Sequence, residues 1–173
     1  RQFADPFHAG RRIPLSDQAP QAPISASPDK SAGLQVAPLP DGDGPIIART
    51  AGGRRAWSTT VNRFSPTARY MYFEVDDAFL FDGDDTIEMT VEYWDEGPAS
   101  FVVEYDSADP KLSGLPQHFR PGPRQKLGGT QAWQRARFVL PHARFIGRAN
   151  GADFRLSCAD GDLVVASVSI NPK

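Results

Sequence analysis

The chain has 173 residues, enough for one domain with a sizeable core and too few for two comfortable ones. Hydrophobic residues make up 40% of it and charged residues 23%, as is usual for a globular protein. No run of apolar residues approaches the roughly 18 that a membrane span requires. The net charge is −2, but acidic and basic residues are unevenly distributed along the chain.

Residues 1–45 form a proline-rich segment that reads differently from the rest of the chain. They hold half of the sixteen prolines, and proline removes backbone donors and breaks both helices and central strands. The segment is therefore predicted to be a linker or wrapping arm with little regular structure. Four apolar side chains in it could dock on a neighbouring surface: Phe3, Phe7, Ile13 and Leu15.

Residues 46–173 are predicted to form one β-sandwich domain. Polar and apolar residues alternate with period two in six segments: 70–75, 86–94, 100–105, 134–140, 153–158 and 163–170. Turn signals such as Asp82-Gly83 and Asn150-Gly151 separate these segments, and short alternating strands at this spacing are typical of an antiparallel sandwich. The predicted fold class is therefore all-β, and the best short helix candidate is 141–147.

The longest irregular segment of this domain is predicted at residues 110–130. It contains Pro110, Pro116, Pro121 and Pro123. Long loops in a compact domain tend to be functional or mobile. We expect this one at an end of the sandwich or over one of its faces.

Two adjacent segments of the chain carry opposite charge. Residues 74–109 contain thirteen acidic residues and no Lys or Arg, whereas residues 111–148 contain eight basic residues and no acid. One interpretation is that basic strands pair beside acidic ones, with Arg135 and Arg137 facing Glu92 and Glu104 across the ladder. The other is a basic surface for an acidic polysaccharide. Nucleic acid is disfavoured because an equally strong acidic block would repel phosphate.

Aromatic and polar side chains on the strands predict a carbohydrate-binding platform. Alternation places Trp94 with Glu92, on the face opposite the apolar set of its strand, so that it is either exposed or covered by a loop or the arm. Stacking on sugars requires aromatic faces, and bonding of hydroxyls requires planar polar groups. The candidate ligand contacts are Trp94, Tyr72, Glu92, Glu104 and Arg137 on strands, with Phe119 and Arg120 in the long loop. Trp57 and Trp133 are predicted to anchor the edge of the core.

Acidic turns provide candidate calcium ligands. The pairs Asp41 with Asp43 and Asp160 with Asp162 each bring carboxylates close together, as hard oxygen ligation requires. Asp-Gly is also the commonest tight-turn pair, which favours a purely structural interpretation of both turns.

A search for catalytic motifs yields none. The sequence has no Gly-x-Ser-x-Gly, no phosphate-binding glycine loop and no Cys or His pair at metal spacing. Cys158 is the single cysteine, and its neighbours Leu156 and Val164 indicate a small buried hydrophobe rather than a nucleophile.

Several runs of residues resemble a known β-sandwich fold. The runs are 70–79, 91–97 and 101–106, followed by Trp133, 138–145, 150–156 and 164–170. Residues 46–171 thereby resemble galactose-binding-like jelly rolls, the modules attached to bacterial polysaccharide-active enzymes. The resemblance implies a ligand at the loops of one sandwich end or on the concave strand face, and often a structural calcium. No binding motif of that family maps onto this chain, and the Asp153-Phe-Arg-Leu segment is predicted to be structural, with Asp153 and Arg155 facing outward.

These observations favour a non-catalytic carbohydrate-binding module that recognises a polysaccharide, with an acidic one as the finer expectation. The alternative is a structural or protein-interaction domain of a larger secreted enzyme or assembly, which docks through residues 1–45. A third interpretation is a polysaccharide hydrolase or lyase, with Tyr72 or His118 acting near Arg137. All three interpretations imply a secreted or periplasmic bacterial protein. In the first two, this chain is an accessory domain of a larger protein such as a glycoside hydrolase or lyase, and in the third it is itself the enzyme.

Overall fold

The computed structural model describes residues 22–172 as two antiparallel sheets packed face to face, with one short helix. The all-β prediction is confirmed. The strands are β1 Ile24–Ser27, β2 Lys30–Ala32, β3 Leu34–Val36, β4 Ile46–Ala51, β5 Arg54–Thr59, β6 Ala68–Val75, β7 Asp85–Trp94, β8 Ser100–Tyr105, β9 Arg120–Lys126, β10 Trp133–Ala143, β11 Phe154–Ala159 and β12 Val164–Pro172, and the helix is α1 Leu115–His118. Within the described residues, no helix is long and apolar enough to cross a membrane.

The two sheets differ in size and in strand order. The seven-stranded sheet has the order β10-β7-β12-β1-β2, and β5 also pairs with β12 and carries β4 at its outer side. The five-stranded sheet has the order β3-β6-β11-β8-β9. Strands that are distant in sequence therefore lie side by side, as in a Greek-key or jelly-roll sandwich.

The core fills the space between the sheets with the inward half of each alternating strand. In β7 the predicted inner set is buried, with Met89 and Val91 fully inaccessible. From the five-stranded sheet, Phe73 stacks on Phe154 with ring centroids 5.0 Å apart. Cys158 is buried on the same sheet, and burial raises the pKa of its thiol to about 11, which confirms it as a small core residue.

The expectation that residues 1–45 stand outside the sandwich requires correction for the part that the structure describes. Strand β1 pairs with β12 in the seven-stranded sheet, and β3 pairs with β6 in the five-stranded sheet. The prolines here do not interrupt strands: Pro23 precedes β1, Pro28 lies in the turn after it, and Pro38 follows β3. The proposed docking residues Phe3, Phe7, Ile13 and Leu15 lie outside the described residues.

The predicted loop at residues 110–130 also contains regular structure. It holds α1 and then β9, the edge strand of the five-stranded sheet, which pairs only with β8 in that sheet. Pro121 and Pro123 are tolerated because an edge strand has backbone positions that need no partner. The predicted helix at 141–147 is absent, since β10 continues to Ala143 across a register shift.

Four ion pairs between arginines and acids join the oppositely charged blocks, and one of them is the predicted Arg135–Glu92 pair. Arg135 donates to Glu92 across the β10–β7 ladder at 2.7 Å. Three further pairs join the blocks: Arg120 with Asp109, Arg144 with Asp82, and Arg148 with Asp106. Glu104 pairs instead with Arg155, and Arg137 has no ion pair among the described residues.

Candidate functional site

A groove of about 610 Å³ lies on the outer face of the five-stranded sheet, and we call it the groove throughout. Its floor is formed by β6 and β11. Its walls are the β3–β4 connection, the β5–β6 connection and one residue of the β10–β11 connection. The lining residues are Leu39, Pro40, Asp41, Asp43, Asn62, Phe64, Ser65, Tyr70, Asn150 and Arg155. This volume is within the range of small-molecule sites.

Arg155 is the central side chain of the floor. Its guanidinium carbon lies 3.8 Å from the ring centroid of Tyr70 and 4.1 Å from that of Phe119, so aromatic rings contact both of its faces. Strand register places Arg155 directly between Tyr72 and Glu104. Its Nε donates to Glu104 at 2.5 Å and its Nη1 to the Tyr72 hydroxyl at 2.7 Å. The floor is therefore held in one conformation before any ligand arrives.

The wall formed by the β3–β4 connection is fixed to this floor through Asp43. The Tyr72 hydroxyl donates to its Oδ2 at 2.6 Å, and the Asn62 amide donates to its Oδ1 at 2.6 Å. Asn150 bridges the Tyr72 oxygen at 2.9 Å and Asp43 at 3.3 Å. Burial raises the pKa of Tyr72 to about 12, so its hydroxyl stays protonated and remains a donor.

Close approach of the wall to the floor requires a glycine at position 44. Gly44 has φ of 75°, and a Cβ there would lie 2.7 Å from Cδ2 of Tyr72. Only glycine combines this conformation with that contact.

Exposed aromatic surface lies beside this polar network. Phe64, at the rim, is 63% exposed, and Tyr70 is half-buried with a hydroxyl that makes no hydrogen bond to the described residues. The groove thus combines a flat apolar ring at its mouth with hydroxyl, amide and carboxylate groups below. Such an arrangement can stack on an apolar face of a ligand and bond polar groups at its edge.

The structure divides the sequence-predicted platform between the two sheets. Tyr72 and Glu104 lie on the five-stranded sheet, next to the groove, on either side of Arg155. Trp94, Glu92 and Arg137 lie on the seven-stranded sheet, on the opposite side of the core. The five residues therefore do not form one surface.

Trp94 is covered by the β4–β5 hairpin. A Cβ on Gly52 of that hairpin would lie 2.5 Å from Cζ3 of Trp94, and the Trp133 ring packs edge-on with centroids 5.4 Å apart. The indole Nε1 of Trp94 donates to Glu96. Trp133 packs beside a small cluster at the sheet edge, as predicted, whereas Trp57 is buried in the main core.

Glu92, on the same face, already has three hydrogen-bond partners. Arg54 donates to it at 2.7 Å, Arg135 at 2.7 Å and Ser167 at 2.9 Å. These contacts, with that from Arg54 the strongest, lower the pKa of Glu92 to about 2. This carboxylate is committed to holding the strands together.

The two loop residues predicted as ligand contacts have different surroundings. Phe119 packs on Arg155 beside the groove. Arg120 points elsewhere: it forms an ion pair with Asp109 at 3.2 Å and donates to the carbonyl of Pro141 at 3.0 Å.

Two of the candidate calcium ligands, Asp43 and Asp162, bind other side chains of the protein. Asp43 accepts hydrogen bonds from Tyr72, Asn62 and Asn150, which are donors and so unlike the oxygen ligands of calcium. Asp162 pairs with Arg69 at 3.0 Å. Within residues 22–172, no three His, Cys, Asp or Glu side chains are arranged to hold a metal ion. The four candidate aspartates thus supply no cluster of three carboxylates to a calcium ion.

Sequence reasoning missed eight of the ten lining residues, among them Phe64, Tyr70, Asn150 and Arg155. Tyr70 shares the period-two face of Tyr72, so alternation could have identified it. Arg155 was predicted to face outward, and it does, whereas Asp153, predicted with it, is buried at 7% exposure. Phe64 and Asn150 lie in connections, where periodicity gives no signal.

No protein-family model matches the chain, and no curated protein matches it. Among solved structures, the chain is similar to the K1 cleaved adhesin domain of Lys-gingipain from Porphyromonas gingivalis W83, with a TM-score of 0.51, 10% identity and coverage of 88% of this chain and 99% of that one. It is also similar to the CBM22-1 xylan-binding domain of Xyn10C from Paenibacillus barcinonensis, with a TM-score of 0.49, 10% identity and coverage of 86% and 92%. A third likeness is to the CBM22-1 and GH10 modules of a Clostridium thermocellum xylanase, with a TM-score of 0.47, 13% identity and coverage of 82% and 26%. At 10% identity, the likeness to the adhesin domain shows a shared all-β fold.

Proposed function

We propose that this chain binds a carbohydrate chain in the groove and does not act on it chemically. The observation that carries this proposal is an exposed aromatic ring, Phe64, at the mouth of a groove whose polar floor is already ordered. Pyranose rings present apolar C–H faces to aromatic surfaces and hydroxyls to polar groups. A preorganised site of this kind loses little side-chain freedom when it binds.

A binding role is favoured over a hydrolase or lyase by the state of the polar groups. The hydroxyl of Tyr72 has its pKa raised to about 12, so it is a poor general base near neutral pH. In the lyase arrangement, Tyr72 and Arg137 lie on opposite sheets, and His118 lies in α1. Glu104 is occupied by Arg155.

Binding of a polysaccharide implies a location where such polymers occur. We therefore propose that the chain is secreted or periplasmic and serves as an accessory domain of a polysaccharide-active enzyme.

The proposal is tested by affinity electrophoresis and calorimetry against a panel of soluble polysaccharides. Phe64→Ala removes the exposed ring and is expected to weaken binding about fivefold, since one stacking contact is worth about 1 kcal/mol. Ile47→Ala is the matched control, because Ile47 is 54% exposed but lies on β4 of the other sheet. Arg137→Ala probes the outer face of that sheet and is expected to bind normally.

Two results would overturn the proposal. One is a panel in which no polysaccharide binds. The other is binding that survives Phe64→Ala but is lost in Arg137→Ala, which would move the site to the seven-stranded sheet.

A second candidate function is a protein-interaction domain, and it is supported by the edge strand β4. This strand pairs only with β5, and exposed Ile47 lines a cavity of about 400 Å³ beside it. Open edges and exposed apolar residues can receive a partner strand. A protein partner whose binding is lost in Ile47→Asp, together with a negative glycan panel, would favour this function.

A further inference from the structure

Two positive charges lie at the groove, and each of them contacts protein groups. Arg155 is covered on both faces by Tyr70 and Phe119 and donates to Glu104 and Tyr72. Arg63, at the rim, lies over the Phe64 ring at 5.6 Å and donates to the backbone oxygen of Asp41 at 3.3 Å. Arg155 is thereby paired with Glu104, whereas Arg63 is exposed and its other N–H groups have no hydrogen-bond partner among the described residues.

The negative charges are less compensated. Asp41 is exposed, and its carboxylate accepts only the backbone amide of Asp43 among the described residues. Asp43 accepts hydrogen bonds from neutral donors and forms no ion pair with any described cation. Three carboxylates, Asp41, Asp43 and Glu104, thus stand against the two guanidinium groups of Arg63 and Arg155, which leaves the groove with a formal charge of −1.

No residue of the basic block is among the lining residues of the groove, although exposed Arg124 and Lys126 lie on β9, two strands away from β11 in the same sheet. Arg120, Arg144 and Arg148 pair with acids of the neighbouring block. Arg135 and Arg137 lie on β10, in the other sheet.

From this charge distribution we infer that the groove selects neutral glycans over uronate-containing or sulfated ones, and that Asp41 enforces the selection. This inference rests on the proposed function and makes it specific. The exposed carboxylate of Asp41 accepts hydroxyl donors from a neutral sugar and repels an anionic group at the same position. One like charge a few ångströms away through water is expected to weaken binding about fivefold at low salt.

The test uses pairs of polymers that share a backbone and differ in charge. Highly methyl-esterified pectin is compared with polygalacturonate, and every neutral polysaccharide that binds is compared with its carboxymethyl derivative. Affinities are measured for the unchanged chain, for Asp41→Asn, and for Glu88→Gln, which makes the same charge change on an exposed residue of the other sheet. Each comparison is made at low and at high ionic strength.

The neutral member of a pair is expected to bind about fivefold more tightly at low salt, and the difference should shrink at high salt. Asp41→Asn should bring the acidic member close to the neutral one, while Glu88→Gln leaves the difference unchanged. Equal or tighter binding of acidic polymers by the unchanged chain would overturn the inference and leave the proposed function standing. If Asp41→Asn still preferred neutral polymers as strongly as the unchanged chain does, the inference that Asp41 enforces the selection would be wrong. Failure of every polymer, neutral and acidic, would instead overturn the proposed function.

Discussion

Removal of one oxygen atom from Tyr72 tests the hydrogen-bond network beneath the groove. Tyr72→Phe keeps the buried ring but deletes the hydroxyl that donates to Asp43 and accepts from Arg155 and Asn150. Tyr70→Phe is a matched control two residues away on the same strand face, because its hydroxyl forms no hydrogen bond to the described residues.

The expected loss of stability follows from the partners of that hydroxyl. Hydrogen bonds to charged groups contribute about 1.5–3 kcal/mol each and neutral ones about 0.5–1.5 kcal/mol. Asp43 keeps its bond from Asn62, and Asn150 can remain on Asp43, so the loss is smaller than the sum of three bonds. We expect the free energy of unfolding to fall by about 2–4 kcal/mol in Tyr72→Phe and by less than about 0.5 kcal/mol in Tyr70→Phe.

Urea denaturation followed by tryptophan fluorescence measures both variants, and the calorimetric affinity for a bound polysaccharide shows whether the wall has moved. Affinity should fall in Tyr72→Phe because Asp43 no longer ties the β3–β4 connection to the floor. Equal stability of the two variants would refute the assignment of the network as the support of the groove.

Two further predictions concern buried acids outside the groove. Arg148→Met should lower the free energy of unfolding by about 3–5 kcal/mol in urea denaturation, because it leaves the fully buried Asp106 without its cation. The control Arg135→Met removes one partner of an exposed ion pair and should lower it by less than about 1 kcal/mol. Equal losses in the two variants would contradict this account. Burial raises the pKa of Asp153 from 3.8 to about 7, so the folded state binds this proton more tightly than the unfolded state does. The free energy of unfolding should therefore fall by about 4 kcal/mol as the pH rises from 4 to above 7. Denaturation at several pH values measures this slope, which should flatten in Asp153→Asn, and an unchanged slope would refute it.

Alternation predicted the faces of the strands correctly but could not predict which sheet each strand joins. The pattern around Trp94 correctly placed Glu92 beside it and the apolar set inward. The same reasoning placed Tyr72 on an outward face. A sandwich has two outward faces, however, and the choice between them depends on strand order, which is a long-range property set by packing rather than by local periodicity.

Proline was interpreted too strongly as a break in structure. Pro121 lies within β9 because that strand is at an edge, and Pro23 and Pro28 flank β1 without entering it. The connections between strands gave the least information about the groove, because their residues follow no periodic pattern. Asp43 was predicted to be a metal ligand because of its charge. In the structure it fixes the β3–β4 connection to the floor of the groove, through Tyr72 and Asn150, which are distant in sequence.

Because the groove has a floor of sheet and walls of connecting loops, its two parts can change at different rates. The strands β6 and β11 also supply Phe73 and Phe154 to the core, so substitutions along them threaten the fold itself. Phe64 and Asp41 are exposed residues of connecting loops. Substitutions at such surface positions usually change the free energy of unfolding by less than about 0.5 kcal/mol. Related chains could thus acquire new ligand preferences by exchanging the rim while they inherit the same floor.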